Sequence, residues 1–214
     1  MARPREFDID VALHDAIDVF WTLGYGGASM EELIKGMGLT KGSLYKAFGD
    51  KRTLFLMALQ RYIDERLTRY EVGLTRPGSP KAAIRDIMLD YVKRVTDSCD
   101  TRGCLVTNTT TEMATRDPEI ARVLARMFAR LEDLFAGAIA RAKESGEIDA
   151  SKDERALARF FVLTIQGVRV MSHMRPDPRH LASTVEVALS TLSSGPISSA
   201  APILPTPDSP VPAN

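Results

Sequence analysis

The chain has 214 residues, 44% hydrophobic and 26% charged, with 28 Lys and Arg balanced by 28 Asp and Glu for a formal net charge of +0. That balance is ordinary for a soluble globular protein of one large or two small domains, and bulk basicity gives no hint of a nucleic-acid partner. No apolar run approaches the roughly 20 residues that cross a bilayer, the start Met1-Ala2-Arg3-Pro4-Arg5-Glu6 is not a signal segment, and two cysteines make no disulfide framework, so a cytoplasmic protein is expected.

In chain order, residues 8–23 place Ile9, Leu13, Ala16, Ile17 and Phe20 on one helical stripe that Gly24 closes. Ser29 with Glu32 three residues on is a capping box opening a short helix to Lys35, and Gly36 and Gly38 bracket a tight turn. Thr40 caps a second short helix to about Phe48, and Asp50 caps a long one from Lys51 to about Val72. Arg76-Pro77-Gly78-Ser79-Pro80 reads as a loop. Helices follow over 81–98 and 104–115, and Asp117-Pro118 opens one to about Ser145. Ser151 with Glu154 predicts a further capping box for a helix to about Met174, and Asp177-Pro178 starts the last, ending near Ser194. Strand signals are absent, so the expected fold is all-α with about nine helices. From Gly195 onward six prolines sit among Ser and Ala, a composition that predicts a disordered tail.

Charge is unevenly placed. Residues 6–32 hold seven acids and no Lys or Arg, whereas 35–52 carry Lys35, Lys41, Lys46, Lys51 and Arg52 against Asp50 alone. Alone, such a run is better explained by a solvated face. It falls, however, on two short helices joined by a glycine-containing turn, the layout of a helix-turn-helix. At 100° per residue Lys41, Gly42, Tyr45 and Lys46 share one face of the second helix, while Leu44, Ala47 and Phe48 face Leu33, Ile34 and Leu39. A helix-interior glycine costs about 1 kcal/mol relative to Ala, so Gly42 needs a reason. Close approach to DNA supplies one; a flexible turn at the helix start is the other.

Residues 40–55, Thr-Lys-Gly-Ser-Leu-Tyr-Lys-Ala-Phe-Gly-Asp-Lys-Arg-Thr-Leu-Phe, resemble the signature of the TetR family of bacterial transcriptional regulators. Phe20, Gly24, Tyr25 and Ser29 also sit where that family keeps an aromatic, a Gly-Tyr pair and a Ser or Thr, so the likeness covers about residues 8–60. It implies that Ser29, Thr40, Lys41, Tyr45 and Lys51 hold phosphates and that Gly42, Ser43 and Lys46 lie nearest base edges. Lys51 also opens a helix whose N-terminal dipole favours a phosphate. The family often has an aromatic or His where this chain has Ala47, so any contact made there is missing.

The resemblance further implies a head over residues 1–50, a body over 51–195 for ligand binding and dimerisation, and then the tail, 196–214. Its last two helices would pair with their copies through Phe160, Phe161, Ile165, Gly167, Val168 and Met171 together with Leu181, Val185, Ala188 and Leu192. The same stripe fits an intrachain core. Gly103-Cys104-Leu105-Val106-Thr107-Asn108 resembles a segment near the ligand cavity in one branch of the family. The expected pocket takes Asn108 and Glu112 as polar groups, Tyr62, Met88, Tyr91 and Phe128 as walls, and Cys104; each is also an ordinary core residue. Cys104 at a helix start is either a small buried residue or a thiol poised to sense oxidants or electrophiles, with Cys99 as its resolving partner.

His14, His173 and His180 are far apart and the cysteines lack zinc spacing, so no metal or cofactor is expected. No phosphate-cradling loop or nucleophile elbow appears, and no enzyme is expected. The expected function is a dimeric regulator, by the family's habit a repressor, released from a near-palindromic operator by a small-molecule effector. The alternatives are release by an oxidant or electrophile at Cys104, or a helical ligand-binding or scaffold protein without DNA function.

Overall fold

The structure, a computed structural model, describes residues 7–97, 102–174 and 177–193. Cys99 and the proline-rich segment 196–214 lie outside the described residues. The first helix, α1, spans Ile9–Gly27, and the Asp8 carboxylate caps it by accepting from the amides of Asp10 and Val11. It breaks at Gly24, whose φ of 72° and ψ of 172° take the chain out of helical geometry before one more turn. Next come α2 (Met30–Gly36), α3 (Lys41–Phe48) and α4 (Lys51–Thr75). The body continues with α5 (Pro80–Asp97), α6 (Leu105–Met113), α7 (Pro118–Glu144), α8 (Glu154–Ser172) and α9 (Pro178–Ser190). Among the described residues these are all the helices and there is no strand, as expected of an all-α chain. None of them is long and apolar enough to cross a membrane.

The caps fall where side chains can satisfy the first orphan amides. Ser29 and Glu32 close a full capping box on α2, Thr40 caps α3, and Asp50 and Asp117 cap α4 and α7. The start of α8 differs from the expected Ser151–Glu154 box. Asp153 caps it, accepting from Arg155 N at 2.9 Å and Ala156 N at 3.0 Å. Ser151 instead donates its amide and hydroxyl to Asp149, at 2.8 and 2.7 Å. The Asp153 carboxylate stands directly before the helix, where it meets both the free amides and the positive end of the dipole.

One apolar core runs from Ala12 of α1 to Leu192 beyond α9. Helix α4 is its spine, packing on α1 in the head and on α5 and α7 in the body. Phe20 and Phe55 lock α1 to α4 edge to face at 4.9 Å between centroids, and Phe135 stacks on Phe161 at 5.8 Å between α7 and α8. Truncating a buried Phe of this kind costs about 3–5 kcal/mol. Polar ties fix the remaining joints. The Arg52 guanidinium of α4 pairs with Asp117 and, at 2.7 Å, with Glu119 of α7. The buried Lys152 ammonium donates to the Thr191 and Ser193 carbonyls, closing the C-terminal end of α9.

Candidate functional site

Helix α3 presents two unlike faces. Leu44 and Phe48 are buried, and Leu33, Ile34, Leu39 and Ala47 pack around them. Lys41, Gly42 and Lys46 are exposed, as is Tyr45 at 42%. Added to Gly42, a Cβ would meet nothing within 4 Å. The fold itself therefore gives no reason for glycine there, and the remaining reason lies outside the chain.

The hydroxyls around α3 are already oriented. Thr40 Oγ1 accepts from Ser43 N at 3.2 Å and donates to Ser43 Oγ at 2.9 Å. Ser29 Oγ accepts from Glu32 N at 3.1 Å, leaving its own proton to donate outward. Lys51, at the first position of α4, holds its ammonium 4.6 Å from the Tyr25 ring centroid. Such a contact is worth about 0.5–1 kcal/mol at an exposed site, too little to keep the ammonium from a phosphate. Among the described residues Lys41, Lys46 and Lys51 have no carboxylate within ion-pairing distance, in contrast to Arg52 beside them. The DNA-reading candidates thus gather at one end of the molecule, on α3 and the starts of α2 and α4.

In the body, the pocket residues expected from the sequence divide. Tyr91 and Cys104 line a cavity between α4, α5 and α8, and the Tyr62 hydroxyl reaches Cys104 Sγ at 3.6 Å. Burial pushes the Cys104 thiol up, but Arg169 and hydrogen bonds from Thr107 and Tyr62 together draw it below its ordinary value. Met88 is fully buried core, and Phe128 packs on the core away from the cavity. Asn108 is turned aside, donating to the Arg102 carbonyl at 2.8 Å.

Glu112 also falls outside the cavity. Its carboxylate accepts from Tyr25 N at 3.1 Å and Gly26 N at 2.8 Å, holding α6 against the break in α1. A Cβ on Gly24 would stand 3.0 Å from Glu112 Oε2, so that glycine is required by its positive φ and by this close approach. Glu112 is a head-to-body tie, because two amides freed by the break need an acceptor.

Sequence reasoning missed the arginines. Arg66, Arg94 and Arg169 line two adjoining cavities, of about 30 and about 210 Å³, with Tyr91 common to both. Tyr62 with Arg66 and Tyr91 with Arg94 are one helical turn apart, a spacing visible in the sequence. Among the described residues no group of three or more His, Cys, Asp or Glu is placed to hold a metal ion.

Most of the expected dimer residues turn out to serve the chain's own core. Phe161, Ile165 and Val168 of α8, Leu181, Val185 and Ala188 of α9, and Leu192 are all buried within it. Phe160 and Met171 are exposed, on a face with Leu163 at 68% and Met174, while Val187 of α9 stands 69% exposed. Gly167 lies on the same side of α8, and a Cβ there would meet nothing.

An exposed recognition-type helix in a helix-turn-helix, carried on a larger helical body, defines a helix-turn-helix transcriptional regulator. The chain belongs to the TetR family of bacterial regulators. The model for bacterial regulatory proteins of the tetR family matches residues 12–58, and that for the tetracyclin repressor-like C-terminal domain matches residues 80–188. The chain is 36% identical over 193 residues to YezE of Bacillus subtilis (strain 168), described as an uncharacterised HTH-type transcriptional regulator, covering 90% of this chain and 100% of that one. It is 29% identical to the HTH-type transcriptional repressor ComR of Escherichia coli (strain K12), covering 89% and 90%. Its fold matches the TetR family regulator CifR, a cysteine mutant solved with 26-bp double-strand operator DNA, at a TM-score of 0.78 and 31% identity, covering 89% of this chain and 100% of that one.

Proposed function

We propose that the chain is an operator-binding repressor that acts as a homodimer in the cytoplasm and leaves a near-palindromic site when a small effector enters its body. The outward face of α3 carries this reading. Two free lysines and a tyrosine surround a glycine that the fold does not need. In the major groove that glycine lets the helix backbone approach the duplex. Ser29, Thr40, Lys41, Tyr45 and Lys51 take phosphates; Gly42, Ser43 and Lys46 lie nearest base edges. CifR, which shares the fold, was solved on operator DNA. The head comprises residues 1–50 and the body 51–195, with α4 common to both cores.

The dimer face is the outward side of α8 and α9: Phe160, Leu163, Gly167, Met171 and Met174 with Val187. This replaces the inward residues of the sequence expectation, which are already covered. A two-fold axis through that face sets two α3 helices on one duplex, hence the near-palindrome. Nothing in this reading calls for catalysis. Selection from a randomised duplex library, with sedimentation in parallel, tests it. Wild type enriches an inverted repeat and sediments as a dimer. Leu163→Asp sediments as a monomer and loses the repeat while keeping its helical content. Failure of wild type to enrich any common sequence overturns the reading.

A further inference from the structure

The body cavity is an unusual place to find a cluster of guanidiniums, with Arg69 also at the wall of its smaller part. Arg66 of α4, Arg94 of α5 and Arg169 of α8 line it, and neither of the adjoining cavities has an Asp or Glu among its lining residues. Among the described residues none of the three has a carboxylate within ion-pairing distance, whereas Arg52, Arg61, Arg85 and Arg155 of the same chain all do. The arginines are stacked on aromatic rings instead. Arg94 and Arg169 each stand 5.8 Å from the Tyr91 centroid, and Arg66 stands 4.7 Å from Tyr62 and 5.9 Å from Trp21. Taking a charge from water without a counter-charge is costly. Two donors of residues that line the cavity are also buried with no hydrogen-bond partner, Arg169 Nε and Trp21 Nε1. Buried polar groups are paired in the great majority of cases, and orphaned donors together with unpaired cations ask for an acceptor that carries negative charge.

The rest of the wall limits what that acceptor is attached to. Tyr91, Trp21 and Val95 give flat and apolar surface, and the larger cavity holds about 210 Å³. A cavity of about 150 Å³ admits benzene, so one ring and a carboxylate fit here. Burial holds the Tyr91 phenol above its ordinary value, so it stays protonated as a further donor at neutral pH. A guanidinium fork matches a carboxylate oxygen pair in bidentate fashion, which favours a planar acid.

We infer that this cavity binds a small organic carboxylate with a flat apolar body, of the size of an aromatic acid, its anion held between Arg94, Arg169 and Arg66 and its body laid against Trp21 and Tyr91. The inference names the chemical class of the effector and so rests on the repressor reading above, but the ligand site is measurable without DNA. Helix α6, which starts at the cavity with Cys104 and ends near Glu112 on the head, gives the bound acid a route to α1.

The test uses the full chain and four probes: benzoate, phenylacetate, the neutral isostere benzamide, and inorganic phosphate. Trp21 is the single tryptophan, so its fluorescence reports occupancy directly. Benzoate or phenylacetate gives a saturable fluorescence change, with benzamide and phosphate at least about 10-fold weaker. Arg169→Gln and Arg94→Gln each weaken the acids about 10-fold or more and leave benzamide unchanged. Saturation by benzamide as tightly as by benzoate, phosphate matching both acids, acid binding untouched in both variants, or no saturable binding of either acid at millimolar concentration each overturns the inference. Operator affinity measured in the same solutions separates the two readings. Acid binding that leaves DNA affinity unchanged upholds the site and refutes release by this effector, whereas release by benzamide alone does the reverse.

Discussion

Cations gather in two regions of this molecule and are presented in opposite ways. On α3 they are lysines, open to solvent and without a carboxylate partner, with the half-buried Lys51 beside them at the start of α4; around the body cavity they are arginines, half-buried against aromatic rings. The difference follows from the two side chains. An ammonium is a compact, strongly hydrated point charge on a flexible stem, suited to phosphates along a duplex and to release of their counterions. A guanidinium is flat, weakly hydrated and rigid, so it tolerates partial burial and fixes the orientation of a small planar anion. The chemistry of the head thus suits a long polyanion met from outside, and that of the cavity suits a short one enclosed.

The sharpest way to break this contrast is at Gly42. Gly42→Ala adds one methyl that meets nothing in the chain, at a helical position where Ala is favoured by up to about 1 kcal/mol. The variant should melt higher than wild type and bind operator on the order of 100-fold more weakly, a loss of about 2.8 kcal/mol. A stability gain and a binding loss from one methyl group have no common cause except an external surface pressed against α3. Unchanged operator affinity would show that the helix does not approach its duplex there.

A smaller effect separates the two kinds of cation. Lys41→Ala should lower affinity for every duplex about equally and reduce the slope of log affinity against log salt by roughly 0.9, one phosphate contact. Arg169→Gln should leave that slope where it is. A slope that falls with the arginine would mean that the cavity lies on the DNA path and that the two regions are one surface.

The head was legible because its information is local. Ser29 and Glu32, or Thr40 and Ser43, are three residues apart, and in both pairs the first side chain caps the helix it opens. The outward and inward sides of α3 could be read from a single turn-by-turn projection. The body spreads its information across helices. Arg66, Arg94 and Arg169 sit on three separate elements, and only the fold brings them to one cavity. The expected dimer residues divided between core and surface for a related reason. Helix α8 is apolar on two sides, Phe161, Ile165 and Val168 inward and Phe160, Leu163 and Met171 outward. Periodicity finds one broad stripe on such a helix, and nothing in the sequence says which edge the chain covers itself. Glu112 was misread because its partners are two backbone amides exposed by a break at Gly24, and backbone donors leave no mark in the sequence.

The smallest effect concerns the arginine that sits beside the lysines proposed to hold DNA without resembling them. Arg52 follows Lys51, yet Asp117 and Glu119 hold its guanidinium on the body. Its hydrogen bond, together with the amides of Ile120 and Glu119, keeps the Asp117 carboxyl well below the usual carboxylate range. The folded-state value is depressed, so the charged form stabilises the fold above the ordinary carboxylate pKa of about 4, and this contribution is lost as pH falls below that value toward the folded one. Asp117→Asn keeps a side chain that can cap the helix and removes the charge, so its cost combines the loss of the Arg52 pair with weaker acceptance from the Glu119 and Ile120 amides. Thermal melts between neutral pH and strong acid should show wild type above the variant at neutral pH, with the gap closing as the solution is acidified past the carboxylate range. The Arg52 side is open to solvent while Asp117 is only 15% exposed, so added salt should narrow the gap at neutral pH in part. A gap that stays constant across the acid range would mean that Asp117 acts only through its cap, with Glu119 alone holding Arg52 on the body.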